Sequence, residues 1–318
     1  MTSHRLLSSA LLAFALLSAG CSAPGTSSFA PTGAQAAGPL KRSHGRPIAD
    51  ATHNYVYVAD AYGNTVWIFP ANPADPAASG SITTGLSSPQ GIAIDAGGNL
   101  YVANASNNTV TVYPPGSATP SLTLSQDLTT PAAVAVDSHG NVWVSNQLGS
   151  YEGSVVEFPA GQTTPSTVIT GLNPLGVAVD SKDNLYVENY NNSAAFVSVY
   201  PPGATKPSKQ FGASDLLEPL GITVGPSGDV YVSDFYYNKV FIYKKKSYEL
   251  RSSTFYEIGG MLGLTLSHNK RLYIGEGSNT VVNEVAKRGF GKLLSDELHN
   301  SLSSSFGVAA DPAVAPGP

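Results

Sequence analysis

The sequence predicts an all-β protein built from a unit of four short antiparallel strands that recurs along the chain. Three observations support this fold class: an internal repeat, a composition rich in turn-forming residues, and short apolar segments of strand length. The chain has 318 residues, of which 32 are Gly, 23 are Pro and only 12% are charged. Many short strands joined by turns of Gly, Pro, Asn and Asp produce such a composition.

The repeat has a period of 42 to 45 residues. Its copies follow the pattern "PQGIAIDAGGNLYVAN" and begin at Pro89, Pro131, Pro174, Pro219 and, in a weaker form, Met261. A nearly constant period of this size is typical of repeat architectures, in which each copy packs against the next.

Each copy can be divided into four strands. In the first copy, "GIAID" suits a strand buried on both faces, and the turn "AGGN" leads to a second strand, "LYVAN". The third strand, "TVTVYP", alternates Thr with apolar residues, and the weaker fourth strand is "SLTLS". Four antiparallel strands whose polarity rises outward describe one blade of a β-propeller, because a single blade buries its faces only between neighbouring blades.

The two ends of the chain complete the ring. Residues Asn54–Asn72 fit the second and third strands of a blade, whereas Ser305–Asp311, "SFGVAAD", fit a first strand with nothing after it. We therefore expect the C-terminal strand to pair with the N-terminal blade, which leaves no open sheet edge at the seam. The sequence predicts an all-β, six-bladed β-propeller of four-stranded antiparallel blades.

The repeated unit resembles the NHL repeat. The matching positions are Pro89, Gly91, Asp95, Gly98, Asn99, Tyr101, Val102 and Asn107–Asn108. The resemblance covers about residues 50–311, and the copy at Met261 departs most, because it lacks the Pro and has Ser267 where Asp is usual. NHL-type propellers include enzymes, receptors and scaffolds, so the resemblance implies a fold rather than an activity. More distantly, the chain is similar to the gluconolactonase-like six-bladed propellers.

The N-terminal residues are typical of an export signal. A basic start, the apolar run Leu6–Leu17 and small residues precede Cys21, which is the only cysteine. This arrangement resembles the bacterial lipobox, which implies cleavage before Cys21 and its lipidation, although Ser18 stands where that motif usually has Leu. Cleavage at a nearby site without lipidation, or retention of the segment, is the alternative.

These features predict three regions: a lipoprotein signal peptide at residues 1–20, a flexible tether at 21–46 and the propeller at 47–318. The expected location is the bacterial cell envelope, with a lipid anchor as the only membrane contact. A net charge of −5 argues against a nucleic-acid partner, because phosphate contacts need clustered Lys and Arg. The one dense basic run, Lys244–Lys246, is interpreted as decoration of a strand end.

Polar residues at the ends of the second strands could form a ring at one mouth of the central channel. They are Asp60, Asn104, Asn146, Asn189, Asp234 and Glu276. Converging oxygens suit Ca²⁺ or Mg²⁺, and the similarity to gluconolactonase-like enzymes implies a metal-dependent hydrolysis of lactones or sugar-like esters, with Glu218 or Glu257 as a base. The alternative, which the repetition favours, is that each side chain caps its own turn.

Aromatic residues cluster beside two of these turns, and we predict that they contact a ligand. The candidates are Tyr190, Phe235, Tyr236, Tyr237 and Tyr151. Rings on the rim of a mouth can stack on a sugar or anchor a peptide, although they can also cover the ends of neighbouring blades. The sequence thus favours a monomeric binding or scaffold module for a protein or carbohydrate ligand over an enzyme. Glu188 is a further departure, since the other blades have a small residue there.

Overall fold

The structure is a computed structural model that describes the chain in several ranges. These are residues 55–70, 78–148, 152–191, 194–255, 261–266, 272–276, 282–285, 293–294 and 305–310. The predicted signal peptide and tether, Cys21, Tyr151 and Glu257 lie outside them, and of Glu276 only the backbone is described. No helix in these ranges is both long and apolar enough to cross a membrane.

The described strands form four-stranded antiparallel sheets, each of which is one blade. Blade 1 combines β1 (Tyr55–Asp60), β2 (Thr65–Pro70) and β3 (Gly80–Ile82) with the C-terminal strand β24 (Ser305–Ala310). Because β24 pairs with β1, the predicted pairing of the C-terminal strand with the N-terminal blade is confirmed.

The other blades each use four consecutive strands. Blade 2 is β4 (Pro89–Ile94), β5 (Leu100–Asn104), β6 (Thr109–Tyr113) and β7 (Leu122–Leu124), and blade 3 is β8 (Pro131–Val136), β9 (Val142–Asn146), β10 (Gly153–Phe158) and β11 (Thr167–Leu172). Blade 4 is β12 (Pro174–Val179), β13 (Leu185–Asn191), β14 (Ala194–Tyr200) and β15 (Lys209–Phe211), and blade 5 is β16 (Pro219–Val224), β17 (Val230–Asp234), β18 (Lys239–Tyr243) and β19 (Leu250–Phe255).

One further sheet follows blade 5. It contains β20 (Met261–Leu266), β21 (Leu272–Glu276), β22 (Val282–Val285) and β23 (Leu293–Leu294), of which β22 and β23 are described by their backbone only. The predicted all-β propeller of four-stranded blades is confirmed. Six blades were predicted, and the structure describes five of them, blades 1 to 5, with most of their side chains.

Apolar residues are buried mainly between blades. One cluster joins Tyr101 and Val110 of blade 2 to Val144 and Phe158 of blade 3. The inner strands also lie side by side, β24 next to β4, β4 next to β8, β8 next to β12 and β12 next to β16. The stability of each blade therefore depends on its neighbours, as the repeat pattern predicts.

An aspartate organises the turn between the first and second strands. Asp95 Oδ1 accepts hydrogen bonds from the backbone N–H groups of Gly97 (2.8 Å) and Asn99 (2.9 Å), and Oδ2 accepts one from Tyr101 Oη (3.0 Å). Burial and the neighbouring carboxylate raise the pKa of the Tyr101 hydroxyl well above its usual value. The "D-x-x-G-N-x-Y" pattern is thus a local hydrogen-bonded unit. The same hydrogen bonds recur with Asp180 in blade 4, where Asp183 stands at the glycine position.

The inner strands approach one another too closely for most side chains. A Cβ atom added at Gly91 of β4 would lie 2.5 Å from Ala133 Cα and 2.7 Å from the carbonyl oxygen of Ala132, both in blade 3. Both are backbone atoms, which cannot move aside without separating the blades. Glycine is required here because of blade packing rather than because of an unusual backbone conformation.

We predict that Gly91→Ala destabilises the propeller by about 1–3 kcal/mol, because overpacking displaces the backbone of blade 3. Urea unfolding would measure this loss. The matched control is Gly80→Ala in β3, where the nearest atom to an added Cβ is Ile68 Cδ1 at 3.9 Å. Equal stability of the two variants would show that the blades are not in backbone contact at Gly91.

Candidate functional site

The loops at one face of the ring are held together by the residues that end the second strands. Asn104 Oδ1 accepts a hydrogen bond from the backbone N–H of Ser87 at 3.1 Å, and Asn146 Oδ1 accepts one from Thr129 at 3.0 Å. Both donors lie in the loop that precedes the first strand of the same blade. The loops before the first strands and the ends of the second strands therefore meet at this face.

Aspartates end the second strands of blades 1 and 5 and also accept hydrogen bonds from backbone N–H groups. Asp234 Oδ2 accepts hydrogen bonds from the backbone N–H groups of Leu217 (2.7 Å) and Glu218 (3.0 Å), and its Oδ1 accepts one from Tyr237 (3.0 Å). Asp60 Oδ1 accepts a hydrogen bond from the N–H of Gly63 at 2.9 Å. Both carboxylates are buried. The contacts to Gly63 and Tyr237 are turn caps of the kind that the repetition favoured, whereas those to Leu217 and Glu218 hold the loop before β16.

The polar residues that end the second strands do not present a free set of ligands to a metal ion. The oxygens of Asn104, Asn146 and Asp234 are engaged by backbone donors, so an ion would have to disrupt the caps. In the described ranges, one group of His and Asp side chains lies close enough to share an ion. It contains Asp137 and His139, in a turn between first and second strands and thus at the opposite face.

Blade 4 departs from the capping pattern. Asn189 is buried, but its Oδ1 has no hydrogen-bond partner among the described residues. The loop before β12 is only Asn173, whose Nδ2 donates to the carbonyl oxygen of Tyr190 at 2.5 Å. The shorter connection removes the backbone donor that serves Asn104 and Asn146.

The aromatic candidates separate into a buried residue and exposed ones. Tyr190 is buried in a cluster with Val197 and Phe241, so the prediction that its ring lines the rim is wrong. It lies within β13, paired with Ala195, and the strand directs its ring into the blade interface. Its hydroxyl has a raised pKa because of burial and, second, the charge of Glu218.

Blade 5 presents the exposed rings. Tyr236 is 58% exposed and Tyr237 is 39% exposed, and their ring centroids are 5.3 Å apart in an edge-to-face arrangement. Phe235 beside them is half-buried, and Lys239 places its ammonium 5.8 Å from the Tyr237 centroid. Leu217, 37% exposed, lies in the loop before β16. We name Leu217, Phe235, Tyr236 and Tyr237 the blade 5 rim.

Sequence reasoning missed Leu217 and Lys239. An apolar residue directly before Glu218, in a loop assigned to the mouth, was the available signal for Leu217. For Lys239, the signal comes from the pairing of β17 with β18. Lys239 begins β18 beside the aromatic turn and lies opposite Asp234 in the register of the two strands.

Glu218 lies next to the blade 5 rim. Its backbone carbonyl accepts a hydrogen bond from the N–H of Phe235 at 2.9 Å. Its side chain is half-buried and has no hydrogen-bond or ion-pair partner in the described part of the chain. Burial, followed by the like charge of Asp234, raises the pKa of the Glu218 carboxyl.

Glu188 occupies the seam between blades 4 and 5. A Cβ atom added at Gly176 of β12 would overlap Glu188 Oε2 and approach Ile222 of β16, so the carboxyl group lies between the two inner strands. In blade 3 the corresponding Ser145 bridges the seam, since its Oγ donates to the carbonyl oxygen of Leu175 at 3.1 Å. At the position of this bridging serine, blade 4 has the acid Glu188.

The Glu188 carboxyl is fully buried, and neither oxygen makes a well-formed hydrogen bond with a described residue. Burial is the largest cause that raises its pKa well above the usual value, and the charge of Asp234 adds to it. The nearby backbone N–H of Gly176 opposes the shift only in part. Folded Glu188 therefore keeps its proton to a higher pH than unfolded Glu188 does.

This difference predicts that the protein loses stability as pH rises above the unfolded pKa of glutamate, about 4.3, until the folded pKa is passed. Glu188→Gln removes the titration. We therefore expect the urea midpoint of this variant to exceed that of the wild type by a margin that widens between pH 5 and pH 8.

Glu249→Gln is the control, because Glu249 is exposed at the surface and paired with Lys244. Its midpoint should follow the wild-type pH dependence. Parallel pH profiles for Glu188→Gln and the wild type would mean that Glu188 titrates normally in the folded protein.

Comparisons with known proteins agree with this fold. The NHL repeat family model matches residues 86–113. No curated protein matches the chain. Among solved structures, a chain of the nidogen/laminin complex is similar with a TM-score of 0.70 and 17% identity, covering 82% of this chain and 99% of that chain.

Two further structures are similar over most of their length. A chain of Kuenenia stuttgartiensis hydrazine synthase has a TM-score of 0.59 and 14% identity, covering 78% of this chain and 80% of that one. A functionally unknown protein from Desulfotomaculum acetoxidans DSM 771 has a TM-score of 0.56 and 14% identity, covering 76% and 78%. At these identities the likeness concerns the fold alone. The chain thus contains an NHL repeat and folds as a β-propeller of four-stranded antiparallel blades.

Proposed function

We propose that this protein is a binding or scaffold module of the bacterial cell envelope, which captures a protein partner on the blade 5 rim. The observation that carries the proposal is the exposure of two adjacent tyrosine rings, Tyr236 and Tyr237, beside the exposed Leu217. Large rings held on tight turns supply contact area at a low cost in conformational entropy, and tyrosine is enriched among residues that dominate binding energy.

A protein partner is favoured over a carbohydrate. Leu217 and the half-buried Phe235 add apolar surface to the blade 5 rim, and an apolar centre of this kind is typical of protein interfaces. The similar propeller of the nidogen/laminin structure belongs to a complex between proteins, which agrees with this class of partner. The alternative of a metal-dependent hydrolase gains no support from the mouth oxygens, because they cap turns.

The proposal includes a closed ring of six blades that acts as a monomer. The pairing of β20 with β21 and of β22 with β23, and the contacts of β20 with both β16 and β24, support the sixth blade. A closed ring leaves no exposed inner sheet edge through which copies could associate. The lipobox-like sequence supports attachment of Cys21 to a membrane.

We expect the double variant Tyr236→Ala/Tyr237→Ala to lose at least about tenfold in partner capture, the equivalent of 1.4 kcal/mol, because it removes both exposed rings. Pull-downs from envelope extracts, quantified by mass spectrometry against the wild type, would measure the loss. Thermal unfolding should change little, since exposed rings contribute little to the core.

The chain offers a matched control. Tyr62 is also 58% exposed and also follows its capping aspartate by two residues, but it lies in blade 1. Tyr62→Ala should capture as much partner as the wild type. If the double variant captures partners normally, or if Tyr62→Ala loses them equally, the blade 5 rim is not the binding surface.

The anchor makes a separate prediction. In a bacterial host, Cys21→Ser should move the protein from the membrane fraction to the soluble fraction, because several acyl chains hold a protein on a membrane and none would remain. Fractionation followed by immunoblotting would measure this, with Ser22→Ala as the control. An unchanged membrane fraction for Cys21→Ser would exclude lipidation at this cysteine as the anchor.

A further inference from the structure

The starting point is the unpaired carboxyl group of Glu218. It is half-buried, it has no partner among the described residues, and it lies close enough to Asp234 for the two like charges to interact. A carboxylate in such a place is stabilised most by an added cation that supplies hydrogen-bond donors. The Asp234 carboxylate has less need of an added cation, because three backbone N–H groups already donate hydrogen bonds to it.

The exposed ring of Tyr236 follows Phe235, whose backbone contacts Glu218. The N–H of Phe235 donates to the carbonyl oxygen of Glu218, which places the turn containing Tyr236 against the Glu218 loop. The face of a tyrosine ring attracts a cation within about 6 Å of its centroid. This chain uses the same interaction internally, with Lys209 Nζ 5.6 Å from the Tyr248 centroid and Lys239 Nζ 5.8 Å from that of Tyr237.

Tyr236 differs from these two tyrosines. It is the most exposed ring of the blade 5 rim, and no described cation lies over it. Lys239, which begins β18 beside this turn, lies over Tyr237 instead. The surface around Tyr236 therefore combines an exposed ring with an acid that has no partner among the described residues, on a protein whose net charge is −5.

We propose that Glu218 and Tyr236 together bind an arginine side chain presented by the protein partner. This inference rests on the proposed function and names the chemistry of the partner at that site. Arginine fits better than lysine, because a planar guanidinium stacks on an aromatic ring while its N–H groups pair with a carboxylate in a bidentate arrangement.

The test uses a peptide of defined chemistry. Binding of Ac-Ala-Arg-Ala-NH2 and of the same peptide with citrulline, which is neutral but of similar shape, would be followed by NMR titration at low salt. We expect the wild-type protein to bind the arginine peptide at least about tenfold more tightly than the citrulline peptide. Glu218→Gln should remove this preference, and Glu249→Gln, at a distant paired surface acid, should retain it.

Three results would overturn the inference. They are equal affinity of the wild type for both peptides, no binding of the arginine peptide at millimolar concentration, and an undiminished preference in Glu218→Gln. Folding of Glu218→Gln would be checked by its unfolding midpoint, which should not fall, since the replaced carboxyl has no described partner.

The failure of this inference can be distinguished from failure of the proposed function. Loss of partner capture in Tyr236→Ala/Tyr237→Ala, with a preference for arginine that Glu218→Gln does not change, would overturn the arginine site alone. Normal capture by the double tyrosine variant would overturn the proposed function itself, whatever the peptides show.

Discussion

The close approach of inner strands is the constraint on which the rest of this structure depends. Each blade is too thin to bury its own apolar residues, so its faces are covered by the next blade, as Tyr101 of blade 2 and Phe158 of blade 3 show. The strands can come this close because a glycine such as Gly91 has no side chain to separate them. The pairing of β24 with β1 joins the chain ends within one blade.

Hydrogen bonds from side chains to the backbone then define the mouth. In blades 2, 3 and 5, Asn104, Asn146 and Asp234 tie the end of the second strand to the loop before the first strand. Because these contacts fix the turns, the residues that follow are held in defined positions. Tyr236 is exposed on such a turn, and the Asp234 carboxylate holds the backbone next to it through the N–H of Tyr237.

Blades 4 and 5 differ from the other blades in their electrostatics. Burial raises the pKa of two carboxyl groups, Glu188 in the seam and Glu218 at the mouth, and the charge of Asp234 adds to the shift in each. Neither glutamate carboxyl group makes a well-formed hydrogen bond with a described residue, whereas the Asp234 carboxylate accepts three. Unsatisfied buried acids reduce stability, and proteins accept such costs most often where a surface has a function.

Much of the fold could be predicted because its signals are local. The alternation of apolar residues, the Asp95-type turns and the capping residues depend on neighbours a few positions away, and the period of the repeat states how often the unit recurs. For the same reason, the sequence indicated that Asp60 and Asp234 cap their own turns. The contacts of Asn104 and Asn146 with the loop before the first strand depend on the tertiary structure instead. The residues of the candidate site were harder to predict, since sites lie where copies differ.

Only the tertiary structure decided which of those differences face solvent. Tyr190 and Tyr236 both lie beside a capping residue, but β13 continues through Tyr190 and pairs it with Ala195, whereas β17 ends at Asp234 and leaves Tyr236 on a turn. The length of a strand depends on its partner across the sheet, which no local pattern records. Likewise, the sequence showed that Glu188 departs from the repeat, but only the packing of Gly176 and Ile222 around it shows that its carboxyl is buried without a well-formed hydrogen bond to a described residue.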